Sequence, residues 1–115
     1  MKHAGLKALA SLRLEKGYRD YGHDMDNTDT ILECGLGFAV SYDKEGGFIG
    51  EEAVKAQKAQ GILPKRMLQV LVKDPQPFLH HGEVVYRDGV PVGDIRAGSY
   101  GHTLGGAVGL TMIEA

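Results

Sequence analysis

The sequence predicts an α+β fold, with helices in the first half of the chain and short antiparallel strands in the second. One observation predicts the helical half: residues 6–15 and 51–60 have helical spacing or a helix-favouring composition. Another predicts the β half, because apolar residues alternate after Pro64 and the glycines scattered among them indicate tight turns. We therefore expect two domains, 1–62 and 63–115, separated where Pro64 stops the helical pattern.

The first helix is predicted from Leu6, Leu9 and Leu12, which recur at helical spacing. Gly17 follows the last turn and can adopt the left-handed conformation that closes a helix. Residues 2–5 offer no side chain that would cap the start of this helix, so we expect it to begin upstream of this sequence.

The middle of the chain is expected to contain turns, one strand and a second helix. Polar turns are predicted at 24–30 and 43–47, and a strand at 36–41, where alternate residues are apolar. The helix at 51–60 is rich in Ala, Glu, Lys and Gln. It should face solvent on most sides before Gly61 ends it.

The second half should form a small antiparallel, Greek-key-like β-barrel. Asp88-Gly89 favours a type I′ turn, which predicts a hairpin between the strands on either side of it. We expect the barrel to be incomplete, with an exposed edge after Ala115 through which copies could self-associate. The predicted strands cover 67–72, 83–86, 90–95 and 107–113.

The composition argues against several classes of function. Thirteen basic and fifteen acidic side chains give a formal charge of −2, so we expect neither a nucleic-acid partner nor a membrane partner. The single Cys34 cannot form an internal disulfide, and no apolar run approaches the roughly 20 residues that span a bilayer. We expect a cytoplasmic protein, or a mitochondrial matrix protein in a eukaryote.

The most informative pattern is the stretch from Ser11 to Asp26, which contains Leu12-Arg13-Leu14-Glu15-Lys16-Gly17 and is followed by Thr30 and by residues 33–38. It resembles the folate-binding region shared by the glycine-cleavage aminomethyltransferase, or T-protein, and the flavin-dependent sarcosine and dimethylglycine dehydrogenases. The resemblance extends over most of the chain.

Within this resemblance, Lys16-Gly17-Tyr18-Arg19 and Glu33-Cys34-Gly35-Leu36 favour the sarcosine and dimethylglycine dehydrogenase branch. The resemblance implies that this sequence is a C-terminal piece of an enzyme, in which the end of a folate-binding domain precedes a truncated barrel. The implied cofactor is tetrahydrofolate, with FAD in a separate N-terminal domain, and the implied partners are folate and a small-molecule amine. The implied catalytic aspartate lies upstream, so no catalytic residue is expected here.

Two other hypotheses remain open. The chain could be a fragment of a glycine-cleavage-type aminomethyltransferase, whose partner would be a lipoyl carrier protein. It could also be a non-catalytic folate-binding or protein-binding module, which should have capped ends and no exposed apolar edge.

Glu15 is the cofactor contact that the resemblance most directly implies, because the carboxylate at this place in the family holds the polar edge of the pterin ring. A carboxylate suits this role since it accepts two adjacent N–H donors in a planar pair. From its position alone, Glu15 would instead pair with Arg13 or Arg19 at the surface. Arg13 is expected either to orient the Glu15 carboxylate or to seal the end of the helix.

The other candidate cofactor contacts are Tyr18, Tyr21 and Lys44. The two tyrosines match aromatic positions that could flank a heterocycle, although aromatic residues in extended segments are more often part of the core. Lys44 lies where a basic residue of the T-protein reaches the distal acidic part of folate.

The remaining polar residues are expected to be structural. Asp24 and Asp26 could act as acid–base carboxylates, but we expect them to cap the turn before Thr30. The five histidines show no metal-site spacing, so no metal site is expected. Cys34 has an apolar sequence context and is expected to be a buried, unreactive thiol.

Overall fold

The computed structural model describes residues 2–115 and has the predicted α+β architecture, with helices before residue 61 and strands after residue 64. No helix in the described range is long and apolar enough to cross a membrane. The elements are α1 (Leu6–Glu15), a 3₁₀ helix (Gly37–Ala39), α2 (Glu51–Gln60), β1 (Lys65–Leu71), β2 (Val84–Arg87), β3 (Val90–Gly101) and β4 (Gly106–Glu114).

The four strands form one antiparallel sheet in the order β1-β4-β3-β2, and the sheet is not closed. Strands β2 to β4 follow one another, and β1 lies beside β4, which is Greek-key connectivity. The predicted incomplete, Greek-key-like barrel is confirmed. The predicted exposed edge after Ala115 is wrong, because β4 pairs on both sides and the edges of the sheet are β1 and β2.

Local sequence signals predicted several element ends correctly. Gly17 has a φ of +68°, and the Tyr18 and Gly17 amides donate to the Arg13 and Leu14 carbonyls at 2.9 and 3.0 Å. This pair of bonds is a Schellman motif, which satisfies carbonyls at the end of α1. The Asp88–Gly89 turn has positive φ at both positions, as the predicted type I′ hairpin requires.

The strand predicted at 36–41 is absent. Gly37–Ala39 forms a 3₁₀ turn instead, and Phe38 is 85% exposed, so the alternate apolar residues share no buried face. A strand needs a neighbour to satisfy its backbone groups. The nearby edge of β1 bonds a residue that precedes this segment, since the Met67 amide donates to the Glu33 carbonyl at 2.7 Å.

The core joins both halves of the chain. Leu14 and the buried Cys34 come from the first half and pack against side chains of the sheet. The two predicted domains therefore share one core, and their boundary between residues 62 and 63 stays a prediction. The sheet contributes Met67, Ala97, Val108, Leu110 and Met112 to this core.

The two α-helices differ in burial. α1 buries Ser11 and Leu14, whereas Leu6, Leu9 and Leu12 are between 57% and 83% exposed. α2 buries no residue, which confirms that it faces solvent on most sides.

Candidate functional site

Glu15 is the last residue of α1, and its carboxylate contacts the turn between β3 and β4. The Thr103 and Leu104 amides donate to Oε1 at 2.7 and 3.4 Å. The bond from the Thr103 amide is the main reason why the pKa of Glu15 lies below its ordinary value of 4.5, since it favours the charged form. A carboxylate has about four acceptor positions. Glu15 is thus a charged group with capacity for further donors.

A cleft of about 640 Å³ lies between α1, β3 and the loop that precedes β2, and Glu15 lines it. Three rings border the same cleft. The centroids of Phe78 and Tyr100 are 6.3 Å apart, and those of Tyr100 and His102 are 5.2 Å apart. One carboxylate and an aromatic wall therefore face one concave space, which is the usual composition of a ligand pocket.

Side-chain hydrogen bonds hold α1 against the sheet beside this cleft. Ser11 Oγ donates to the Tyr100 carbonyl in β3 at 2.7 Å. Gln69 Nε2 in β1 donates to the Leu14 and Glu15 carbonyls at 2.6 and 3.1 Å. The last carbonyls of a helix lack intrahelical donors. Gln69 donates to the Glu15 carbonyl and adds a second donor to the Leu14 carbonyl, which also accepts from the Gly17 amide. The end of α1 is fixed by two strands.

Arg13 contacts Asp24 and not Glu15. Its Nη1 and Nη2 lie 2.5 and 3.3 Å from the two oxygens of Asp24, and Nη1 also donates to the Tyr18 carbonyl at 3.1 Å. Burial raises the pKa of Asp24, but the bonds from Arg13 and His23 hold that pKa below its ordinary value. The structure therefore places Arg13 in a buried ion pair beside the end of α1.

A second group of charges continues from Asp24 to the sheet. Asp29, whose side chain is 1% exposed, lies 2.5 Å from Lys65 Nζ and 3.6 Å from Arg96 Nη1. Arg96 Nη1 also donates to the Asp24 carbonyl at 3.4 Å. Burial raises the pKa of Asp29, while the Lys65 ammonium holds it below its ordinary value. These bonds tie the turn region 24–30 to β1 and β3.

The other candidate contacts lie away from the Glu15 cleft. Tyr18 and Tyr21 are 63% and 69% exposed, so they are not core residues, and neither lines the cleft. Lys44 is exposed in a turn, where its carbonyl accepts from the Gly47 amide at 2.9 Å, and it does not line the cleft either. The structure does not bring these three residues to Glu15.

The expected cap at Asp26 and the expected burial of Cys34 are confirmed, whereas Asp24, which was expected to cap the same turn, bonds Arg13 and the Asp20 amide instead. Asp26 Oδ1 accepts from the Thr28 amide and hydroxyl at 2.7 and 2.6 Å, which caps the turn before Thr30. Cys34 is 2% exposed, and burial raises the pKa of its thiol, so the unreactive protonated form is favoured. Within residues 2–115, no group of three His, Cys, Asp or Glu side chains is arranged to hold a metal ion.

Sequence reasoning missed the residues that surround Glu15. No local pattern in the sequence shows that β3, which carries Tyr100, passes beside α1, or that the Thr103 amide meets Glu15. The signal that the sequence offered was a glycine, Gly98, close to Tyr100. In the structure an added Cβ at Gly98 would lie 2.5 Å from the carbonyl carbon of Leu79. Glycine at this position allows the loop that carries Phe78 to lie directly on β3.

Comparison with protein families agrees with this fold. Residues 1–44 match the GCVT N-terminal domain, and residues 65–115 match the glycine cleavage T-protein C-terminal barrel domain. Each half of the chain is therefore similar to one domain of T-protein-like proteins, the first half to the N-terminal domain and the second half to the C-terminal barrel domain.

Proteins with similar sequences include an oxidase and several aminomethyltransferases. The chain is 47% identical over 115 residues to the 4-methylaminobutanoate oxidase (formaldehyde-forming) of Paenarthrobacter nicotinovorans, covering 99% of this chain and 14% of the oxidase. It is 43% identical over 110 residues to an aminomethyltransferase of Legionella pneumophila (strain Paris), covering 95% of this chain and 30% of that protein.

A solved structure shows the same fold. The aminomethyltransferase T of the glycine cleavage system from Bartonella henselae superposes with a TM-score of 0.78 at 26% identity. The match covers 96% of this chain and 31% of that one. The chain thus spans less than a third of the length of each of these relatives.

Proposed function

We propose that this chain is the folate-binding part of a flavin-dependent enzyme that oxidises N-methyl amines of the sarcosine and dimethylglycine type. The observation that carries the proposal is Glu15, whose carboxylate lines an aromatic-walled cleft at the end of α1. The identity of 47% to an oxidase named for a methylamino substrate supports an N-methyl amine. We place residues 1–62 in the folate-binding domain and residues 63–115 in the barrel domain.

The residues of this chain fit tetrahydrofolate, which when bound would accept the one-carbon unit from the oxidised methyl group. Glu15 is charged at neutral pH and can accept the adjacent N–H donors of a pterin. The Phe78 and Tyr100 rings offer apolar surface to a planar heterocycle. The cleft volume of about 640 Å³ lies in the range of ligand pockets, roughly 300–1,000 Å³.

We propose that the flavin binds outside this chain. The glycine-rich stretch 46–50 precedes α2 but follows turns, and a dinucleotide diphosphate is held where a strand leads through glycines into a helix. Residues 2–115 therefore do not fit a flavin. The small-molecule amine would be oxidised in the remainder of a longer protein, which we place in the cytoplasm or, in a eukaryote, the mitochondrial matrix.

A glycine-cleavage-type aminomethyltransferase is the second candidate. It is favoured by the identity of 43% to the Legionella protein and by the TM-score of 0.78 to the Bartonella structure. Both candidates use the same folate site and differ in the rest of the protein. Reduction of flavin by an N-methyl amine in the longer protein would support the oxidase, whereas transfer from a lipoyl carrier protein would support the aminomethyltransferase.

Calorimetric titration of this chain with tetrahydrofolate tests the folate site. Glu15→Gln is the informative variant, because its amide oxygen can still accept from Thr103 while its second polar atom becomes a donor. We expect the unmodified chain to bind tetrahydrofolate. Glu15→Gln should bind it at least about tenfold more weakly.

Glu45→Gln is the matched control, since Glu45 is exposed in the turn before α2. It should bind tetrahydrofolate as the unmodified chain does. The proposal fails if the unmodified chain does not bind, or if Glu15→Gln binds equally well.

A further inference from the structure

We propose that Asp24 is a positioning residue for Glu15 and that it acts through Arg13 on the C-terminal end of α1. This inference rests on the proposed folate site, because it concerns the carboxylate that would hold the pterin. Asp24 does not line the Glu15 cleft, so it would not touch the ligand itself. Its role is to fix the helix end from which Glu15 projects.

Asp24 is a rigid anchor. Its side chain is fully buried, and both of its oxygens accept hydrogen bonds. Oδ2 accepts from Arg13 Nη1 at 2.5 Å and from the Asp20 amide at 2.8 Å. Oδ1 lies 3.3 Å from Arg13 Nη2 and 3.0 Å from His23 Nδ1. Because a buried charge that loses a partner is costly, this set of bonds favours one arrangement of Arg13.

Arg13 transmits that arrangement to the end of α1. Its Nη1 donates to the Tyr18 carbonyl at 3.1 Å, and its own carbonyl accepts from the Tyr18 amide at 2.9 Å. Arg13 and Tyr18 are thus joined through the side chain and through the backbone. Glu15 lies between them, on the turn that Gly17 closes in the left-handed conformation. A change in the direction of the Arg13 side chain would therefore alter the turn that carries Glu15.

The sheet completes the positioning from the opposite side. Gln69 donates to the Glu15 carbonyl at 3.1 Å, and the Thr103 amide donates to the Glu15 carboxylate at 2.7 Å. Arg96, in β3, donates to the Asp24 carbonyl at 3.4 Å, so the segment that carries Asp24 is attached to the same sheet. The pair of Asp24 and Arg13 is the side-chain contact that links the last turn of α1 to this segment.

The Thr103 amide proton offers a readout of Glu15 that needs no ligand. The amide donates to the Glu15 carboxylate, so its chemical shift should follow the protonation of Glu15 with a midpoint below 4.5 in the unmodified chain. We would label Arg13→Lys and Asp24→Asn with ¹⁵N and record the same titration. In both variants we expect the Thr103 proton to move upfield at neutral pH and the midpoint to rise toward 4.5.

The same variants should bind tetrahydrofolate about tenfold more weakly, since the Glu15 carboxylate would be held less firmly in its present position. Arg13→Lys is the milder change, because lysine keeps the charge but cannot form the two-pronged bond to Asp24. It decides the question if Asp24→Asn does not fold.

Asp29→Asn is the matched control. It removes a carboxylate whose side chain is 1% exposed and which pairs with Lys65 and Arg96 instead of Arg13. It should lower the melting temperature and leave the Thr103 shift and midpoint unchanged. If Arg13→Lys also lowers the melting temperature without moving the Thr103 resonance, Asp24 is only structural and the inference is overturned. If neither the unmodified chain nor any variant binds tetrahydrofolate, the proposed function is overturned. The Thr103 titration would still decide the role of Asp24.

Discussion

The helices α1 and α2 have similar local signals but different surroundings. Each has ten residues, and each is followed by a glycine with positive φ, Gly17 at +68° and Gly61 at +78°. α1 buries Ser11 and Leu14 and contacts β3 and β4, whereas α2 buries no residue. Helix formation and helix docking therefore depend on different features of the sequence.

α2 is stabilised by interactions within its own region. Glu51 and Glu52 lie in the positive first turn, and Lys55 Nζ is 2.6 Å from Glu51 Oε1. Lys58 Nζ lies 3.8 Å from the centroid of the Tyr42 ring. Exposed pairs of this kind contribute little individually. α1 is instead held by hydrogen bonds to distant strands, and of the two helices it is the one that carries Glu15.

The largest expected difference between the helices concerns core contacts. Leu14 is 1% exposed within the core, so Leu14→Ala should lower the free energy of unfolding by about 2–5 kcal/mol. Val54 in α2 is only half-buried, and Val54→Ala should cost less than about 1 kcal/mol. Urea denaturation followed by circular dichroism measures both values. Equal losses would show that α2 is docked as firmly as α1.

The second expected effect is that acid lowers the stability of the segment that docks on α1 and has no counterpart around α2. The pKa values of Asp24 and Asp29 lie below the ordinary aspartate value of 3.8 in the folded protein. The stability that these carboxylates contribute is therefore fully present above pH 3.8 and is lost as the pH falls through the folded values. Urea denaturation at a series of pH values should show this loss, and Asp29→Asn should make the dependence shallower. An identical pH dependence in Asp29→Asn would contradict the prediction for Asp29.

The smallest expected effect lies on the exposed face of α2. Lys55→Gln removes the bond between Lys55 and Glu51 and should lower the free energy of unfolding by less than Val54→Ala does, because an exposed pair one turn apart is weak and is screened by salt. A double-mutant cycle with Glu51→Gln isolates the coupling energy. A coupling energy larger than the loss caused by Val54→Ala would mean that the pair is less accessible to water than the structure indicates.

The parts of the fold that could be predicted from the sequence are those with local causes. Gly17 and Gly61 end helices because glycine adopts positive φ without strain, and the Asp88–Gly89 turn forms a hairpin for a similar reason. The strand predicted at 36–41 was wrong because alternation alone does not supply a pairing partner. The position of β4 inside the sheet depends on its pairing with β1, which no local pattern specifies.

Of the candidate site, the sequence predicted Glu15 but not the residues that surround it. Glu15 stands out through its motif, but its contact with Thr103 joins residues 88 positions apart. The Arg13 partner Asp24 could not be chosen from sequence, because the nearby Glu15 offered an equally plausible carboxylate. Which acid a given arginine meets is decided by tertiary packing, in this case by how the segment after Gly17 returns over α1.

The pairing of β1 with β4 has a consequence for the folding rate. The residues that pair, from Lys65 with Glu114 to Leu71 with Val108, lie between 49 and 37 positions apart along the chain. Closing such a loop costs entropy before the contacts form, so this pairing should be slower than that of the β2–β3 hairpin. Until β4 arrives, β1 lacks a partner on the side that later becomes central, and a newly made chain is most prone to aggregate during that interval.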